Sequence, residues 1–220
     1  TIHNGALYSK NYDELINVPS MVSTNFVFHE SCTTIRSYAF SCCRLETLVI
    51  PNHIKHINEE SFPYSINLIS VTIPDNIEHI YGIFKYATSL KSVTLSQNIL
   101  EIHESSFYEC INLTSITLHD KLTYISDKVF FSCVSLTSIT IPENVNFIGN
   151  NCFAYCTSLK TVTLPNGLKS IENYAFSDCI SLESIKWPVG ETIISEGCFC
   201  NCQKLASIDI PTTVTEFRRI

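Results

Sequence analysis

Five cysteines, Cys110, Cys133, Cys156, Cys179 and Cys202, recur every 23 residues. Thiols on such a spacing could bond to one another, hold a metal as thiolates, or fill a core as small apolar groups. A column of identical side chains is satisfied by packing alone and needs no disulfide, so buried free thiols are expected. The chain has 11 cysteines, an odd number, so at least one stays unpaired within the chain under any scheme. Cys198, Cys200 and Cys202 alternate as ligands on a strand would, but the pattern brings no fourth ligand to them. His56, His79 and Glu101 make a second chemical column, each standing before an isoleucine in successive units. Stacking could let them share a divalent ion. A solvated polar column explains the same residues, and no metal is expected.

Enzyme chemistry has little support. The 6 glycines are scattered and form no phosphate loop, and G-x-S-x-G, H-E-x-x-H and paired acidic motifs are missing. No catalytic residue and no cofactor are expected. A net charge of −7 argues against nucleic acid and against an anionic membrane surface, both of which need a basic face.

The elements that position these residues follow from the phenylalanines. Phe40, Phe62, Phe84, Phe107, Phe130, Phe153, Phe176 and Phe199 are spaced 22 or 23 residues apart. Such a period predicts a solenoid in which each repeat is one coil. From Phe130 the unit reads Cys133, Leu136, Ile139, Ile141, Pro142, Val145, Ile148, and then Phe153 opens the next. This L-x-x-I-x-I core is the leucine-rich-repeat pattern, with a short strand lining one face of each coil. At about 4.8 Å per coil, eight coils make a rod of roughly 40 Å. The unit is too short for a long helix, so 3₁₀ turns are expected around each phenylalanine and a second short strand around V-x-x-I. Prolines 51, 74, 142, 165, 188 and 211 mark strand exits, with Ser96 and His119 in that place in two coils. One residue is missing between Phe40 and Leu45, so Cys42 or Cys43 takes the cysteine position. Another is missing between Pro74 and Phe84. Both deletions should tighten loops and leave the columns in register.

Segments such as CFAYCTSLKTVTLP and AFSDCISLESIKWP resemble the BspA-like (Treponema pallidum-type) leucine-rich repeat over residues 26–217. The resemblance implies an α/β leucine-rich-repeat solenoid, right-handed, with short parallel strands on the concave face and mostly loops and 3₁₀ turns elsewhere. Residues 1–25 are similar to the hairpin-like segment that precedes such arrays, and residues 26–220 would be the solenoid, its last repeat incomplete. Phe26, Phe28, Cys32 and Ile35 fit a degenerate first coil, with His29 in the proline position. The chain begins at Thr1 and stops at Arg218-Arg219-Ile220 within a repeat, so a piece of a longer protein is expected. Relatives occur in mucosal bacteria and protozoan parasites. The implied role is a surface or secreted adhesion module for a protein or glycan, including host matrix proteins. A spacer rod presenting another domain is the alternative.

Two surfaces could carry binding. The residues flanking the central I point away from the core. They form the columns Thr47, Ser70, Ser92, Ser115, Ser138, Thr161, Ser184, Ser207 and Val49, Thr72, Thr94, Thr117, Thr140, Thr163, Lys186, Asp209. Small hydroxyls suit a solvated β surface, a polar docking face or ordered water. The candidate ligand face is Ser92, Thr94, Ser115, Thr117, Ser138, Thr140, Thr161 and Thr163. The second surface is an aromatic patch of Tyr108, Tyr124, Phe131, Phe147 and Tyr155, with Tyr64 and Tyr86 nearby, exposed or tucked against outer loops. Asn112-Leu113-Thr114 is a glycosylation sequon whose central residue is a core post, which should restrict access.

Overall fold

The computed structural model describes residues 1–22, 26–190 and 192–205, and the backbone of 214–217. Ser207, Asp209, Pro211 and the terminal Arg218-Arg219-Ile220 lie outside the described residues. The chain winds as a β-solenoid around one continuous apolar cluster. Its axis is the phenylalanine column, whose successive ring centroids lie 4.7–5.6 Å apart. Phe40 through Phe176 are fully buried, while Phe199 is half-buried.

Each coil offers up to two strands. The first carries the hydroxyl columns. Thr47–Val49, Ser70–Thr72 and Ser92–Thr94 pair in parallel, with Leu48, Val71 and Val93 in register. Ser138–Thr140, Thr161–Thr163 and Ser184–Lys186 do the same through Ile139, Val162 and Ile185. The second strand ends on the isoleucine post of the V-x-x-I segment, as expected. His79–Ile80, Glu101–Ile102, Tyr124–Ile125, Phe147–Ile148, Ser170–Ile171, Thr192–Ile194 and Val214–Phe217 form one parallel sheet. Thr34–Ile35 and His56–Ile57 belong to another, which begins with the antiparallel strands Ile2–His3, Ala6–Tyr8 and Glu14–Asn17. Asn4 and Gly5, with φ of 47° and 78°, make the two-residue turn that joins the first two strands.

The α/β expectation is corrected: no α- or 3₁₀-helix occurs among the described residues. The reason lies in the backbone around each phenylalanine. Residues two before and two after it adopt positive φ, as at Asn151 (53°) and Tyr155 (61°) around Phe153. The amides of Asn151, Phe153 and Tyr155 then donate to Asn173, Ala175 and Ser177 of the next coil, at 2.9, 2.7 and 2.9 Å. The intervening amides of Cys152 and Ala154 donate within their own coil. Amides pointing alternately along the stack and within the coil cannot continue a helix, where all point one way. A left-handed residue costs about 1–2 kcal/mol. An inter-coil hydrogen bond of about 1 kcal/mol offsets most of that.

The cysteine column has a polar role that its burial alone does not suggest. Cys110, Cys133, Cys156, Cys179 and Cys202 donate to the carbonyls of Phe84, Phe107, Phe130, Phe153 and Phe176, at 3.1–3.3 Å. Ser65 takes the same place and donates to Phe40 at 2.9 Å. Cys43, buried, fills the position in the first coil, and Cys42 is exposed. All eleven cysteines are free. Burial pushes the column thiols up, Cys202 to about 11 and the others further, which keeps them protonated as donors. Thiol reactivity follows thiolate character and exposure. Brief treatment of the native protein with a maleimide should therefore label Cys42 and Cys200 first and Cys202 slowly. The remaining thiols should react only on unfolding. Mass spectrometry with early label on Cys133 or Cys156 would contradict this packing.

Across the deletion between Pro74 and Phe84 the hydroxyl strands keep register, Ser70–Thr72 pairing with Ser92–Thr94. The second strands pair across both deletions, Thr34–Ile35 with His56–Ile57 and His79–Ile80 with Glu101–Ile102, yet the second sheet is not continuous. Its ladder is interrupted between His56–Ile57 and His79–Ile80, next to the shortened Ile80–Phe84 segment. Gly82, with φ of 58°, supplies the left-handed residue in that short loop.

Candidate functional site

Of the candidate face, Ser92, Thr94, Ser115, Thr117, Ser138, Thr140 and Thr161 are exposed and Thr163 is half-buried. Their position follows from strand alternation, since the central Val93, Ile139 and Val162 point into the core. The face is not one sheet. Residues 115–117 join no ladder, so Ser92–Thr94 and Ser138–Thr140 each end a three-stranded sheet. Ile116 and Leu118 are only partly buried there, whereas their counterparts Val93, Leu95, Ile139 and Ile141 are buried. The 114–118 segment still lies between the two sheets, its Thr114 amide donating to the Lys91 carbonyl at 3.3 Å, so the two edges face this coil. Beside it, Val49, Thr72, Thr94, Leu95, Gln97 and His119 line a shallow groove of about 560 Å³. The middle of the face thus combines hydroxyls and a little apolar surface.

The aromatic residues divide into two groups. Tyr64, Tyr86, Tyr108, Phe131 and Tyr155 form one continuous ladder over five coils, with centroids 4.8–5.4 Å apart and stacked and edge contacts alternating. Lys85 lies over the rings of Tyr86 and Tyr108 at 5.6 and 5.9 Å. Tyr64 and Tyr155, at the two ends, are exposed. Tyr124 and Phe147 stack on each other at 4.9 Å in the second sheet and have no ring pairing with that ladder.

The polar column of the second sheet gathers residues that the spacing alone did not. His79 and Glu101 are directly paired across neighbouring strands. His103 stands two residues beyond Glu101 and so on the same side of its strand. The Glu101 Oε2 lies 3.5 Å from His79 Nδ1 and 3.0 Å from His103 Nε2. Neither ring nitrogen makes a hydrogen bond, and neither is open to solvent. Such a group costs about 1–3 kcal/mol when left unsatisfied. Tyr81 stacks on the His103 ring at 3.9 Å and fixes its plane. Burial lowers the His103 pKa, only partly opposed by Glu101. His56 is not a member of the cluster. The clue to His103 was strand alternation across Glu101-Ile102-His103, which a column-by-column reading passes over.

Cys198, Cys200 and Cys202 do not converge: the first is buried, the second exposed, the third between. The sequon is more open than expected. Asn112 and Thr114 are exposed, although the Asn112 amide donates to the Thr88 carbonyl at 2.7 Å.

The profile of the BspA type leucine rich repeat region matches residues 20–136 and 123–219, in six copies. No curated protein matches. Among solved structures, a leucine-rich repeat protein of T. pallidum is 27% identical, with a TM-score of 0.69 over 74% of this chain and 78% of that one. A leucine-rich repeat protein of Bacteroides ovatus is 22% identical, with a TM-score of 0.68 over 93% of this chain and 68% of that one. A leucine rich cell surface protein of Faecalibacterium prausnitzii is 22% identical, with a TM-score of 0.60 over 84% of this chain and 79% of that one. These last two likenesses concern the fold.

Proposed function

We propose a function for a chain that belongs to the BspA type leucine-rich-repeat family: it is a non-enzymatic interaction module of a cell-surface or secreted protein. Proteins built on such repeats serve as a class as interaction scaffolds. In this reading residues 1–25 precede the array at 26–220, the coil is right-handed, and the hydroxyl face is its concave side. The ligand is an extended protein or glycan of a host cell or extracellular matrix, met by a mucosal bacterium or parasite. A surface location agrees with the Faecalibacterium relative, described as a cell surface protein. No helix among the described residues is long and apolar enough to cross a membrane.

One observation carries this reading. The hydroxyl ladder is interrupted at residues 115–117, where exposed Thr94, Thr117 and Thr140 stand with partly exposed Ile116 and Leu118, and Thr94 also lines the groove. An extended ligand can take hydrogen bonds from the hydroxyls and apolar contacts from Ile116, Leu118 and the groove. Adhesion of the purified chain to epithelial cells and a matrix panel including fibronectin tests it. Saturable binding is expected. Thr117→Lys with Thr140→Lys should weaken it at least tenfold while the circular dichroism and melting temperature stay unchanged. A parent chain that binds nothing at micromolar concentration would instead make the array a spacer rod that presents another domain.

A further inference from the structure

We propose that His79, Glu101 and His103 form a zinc-binding site that ties two successive coils together. Two imidazoles and one carboxylate are a donor set that suits zinc; magnesium and calcium prefer all-oxygen shells. All three ligand atoms lie within 4.8 Å of one another. Bonds of about 2.0–2.2 Å in a tetrahedral site hold ligand atoms roughly 3.3–3.6 Å apart. The two edges to Glu101 Oε2, 3.5 and 3.0 Å, already lie close to that span. The third, between His79 Nδ1 and His103 Nε2, is at most 4.8 Å and shortens on binding by rotation of the half-exposed His79 ring.

The unsatisfied nitrogens supply the second argument. His79 Nδ1 and His103 Nε2 are hidden from water and lack hydrogen-bond partners, although both lie beside one carboxylate oxygen. A cation among the three atoms satisfies both nitrogens and the carboxylate at once. Tyr81, stacked on His103, holds that ring in the orientation a metal needs, as outer-shell groups do in known sites. His79 and Tyr81 also line an open groove of about 760 Å³, so metal approaches the cluster from the His79 side. The site lies beside the interruption between His56–Ile57 and His79–Ile80, so metal would brace the end of the longer sheet.

Calorimetric titration of the chain with zinc tests the proposal, in a Cys42→Ser, Cys200→Ser background that removes the exposed thiols. One zinc per chain is expected. His79→Gln and His103→Gln should each weaken binding tenfold or more, and His56→Gln should leave it unchanged. Saturating zinc should raise the melting temperature of the parent but not of His103→Gln. These side chains lie outside the apolar core, so the variants should keep the parent circular dichroism. The cobalt spectrum of the parent gives a separate reading: bands of nitrogen and oxygen ligands without thiolate charge transfer. No binding, parent-like affinity in His79→Gln or His103→Gln, or a thiolate spectrum would overturn the site.

Discussion

Phe130→Ala should destabilise the chain by about 3–5 kcal/mol, the range for emptying a fully buried aromatic position. Phe130 is completely buried and lies between Phe107 and Phe153, with ring centroids at 5.3 and 5.1 Å and planes within 12° of parallel. Both stacked contacts vanish together, and the coils above and below cannot close the gap without moving their ladders. The substitution is clean because the backbone bonds at this position survive it. The Phe130 amide still donates to Cys152, and its carbonyl still accepts the Cys156 thiol. Urea denaturation followed by circular dichroism measures the loss. A solenoid is held by neighbour-to-neighbour interfaces, so one weakened coil in the middle can also split a single transition into two. Phe199→Ala, at a half-buried ring, should cost clearly less. Equal costs at the two positions would mean that the column is not the axis of stability.

The period of the phenylalanines was legible because translation is the only symmetry the chain obeys, and every buried column repeats it. Cys110 to Cys202, the isoleucine posts and the second strand all follow from that period. What escaped was whatever depends on neighbours within a coil rather than between coils. The backbone alternation at Asn151 and Tyr155 leaves no mark in residue type, since aromatic, acidic and serine residues fill equivalent positive-φ places. The aromatic ladder draws on two adjacent positions, two after the phenylalanine for Tyr86 and one after it for Tyr108, so column reading split what packing joins. The interruption of the hydroxyl face falls on Ser115-Ile116-Thr117, whose residue types match those of its paired neighbours, so no local pattern announces it. His103 was missed because its column contains Asn58, Tyr81 and Ser126, and only its relation to Glu101 across one strand is chemical.

Gly149→Ala should cost about 3 kcal/mol, far more than a methyl group usually does. A Cβ built there falls 2.4 Å from the Ser126 carbonyl carbon and 2.5 Å from both the Asp127 amide nitrogen and its Oδ1. Two of those atoms are backbone, which cannot yield without disturbing the preceding coil, and such overpacking costs about 1–3 kcal/mol. The third belongs to a carboxylate in use. Asp127 Oδ1 accepts the Asn150 amide at 2.8 Å, and both its oxygens receive the Asn150 side chain at 3.1–3.2 Å. Pushing that carboxylate aside forfeits hydrogen bonds to a charged group, each of about 1.5–3 kcal/mol. Other coils carry Tyr81, His103 and Glu172 at the equivalent place, so the position is not small by fold; it is small because Asp127 and the Ser126 backbone crowd it. Gly167→Ala is the contrasting variant, since a Cβ there meets nothing closer than the Glu143 carbonyl at 3.3 Å. Its stability should stay within about 1 kcal/mol of the parent. Adding Asp127→Ala to Gly149→Ala removes the side-chain part of the clash and the latch together. If the carboxylate matters as argued, the double variant should be less destabilised than the two single costs predict, a coupling that a double-mutant cycle in urea resolves. Strict additivity would leave the Ser126 and Asp127 backbone as the whole of the obstacle.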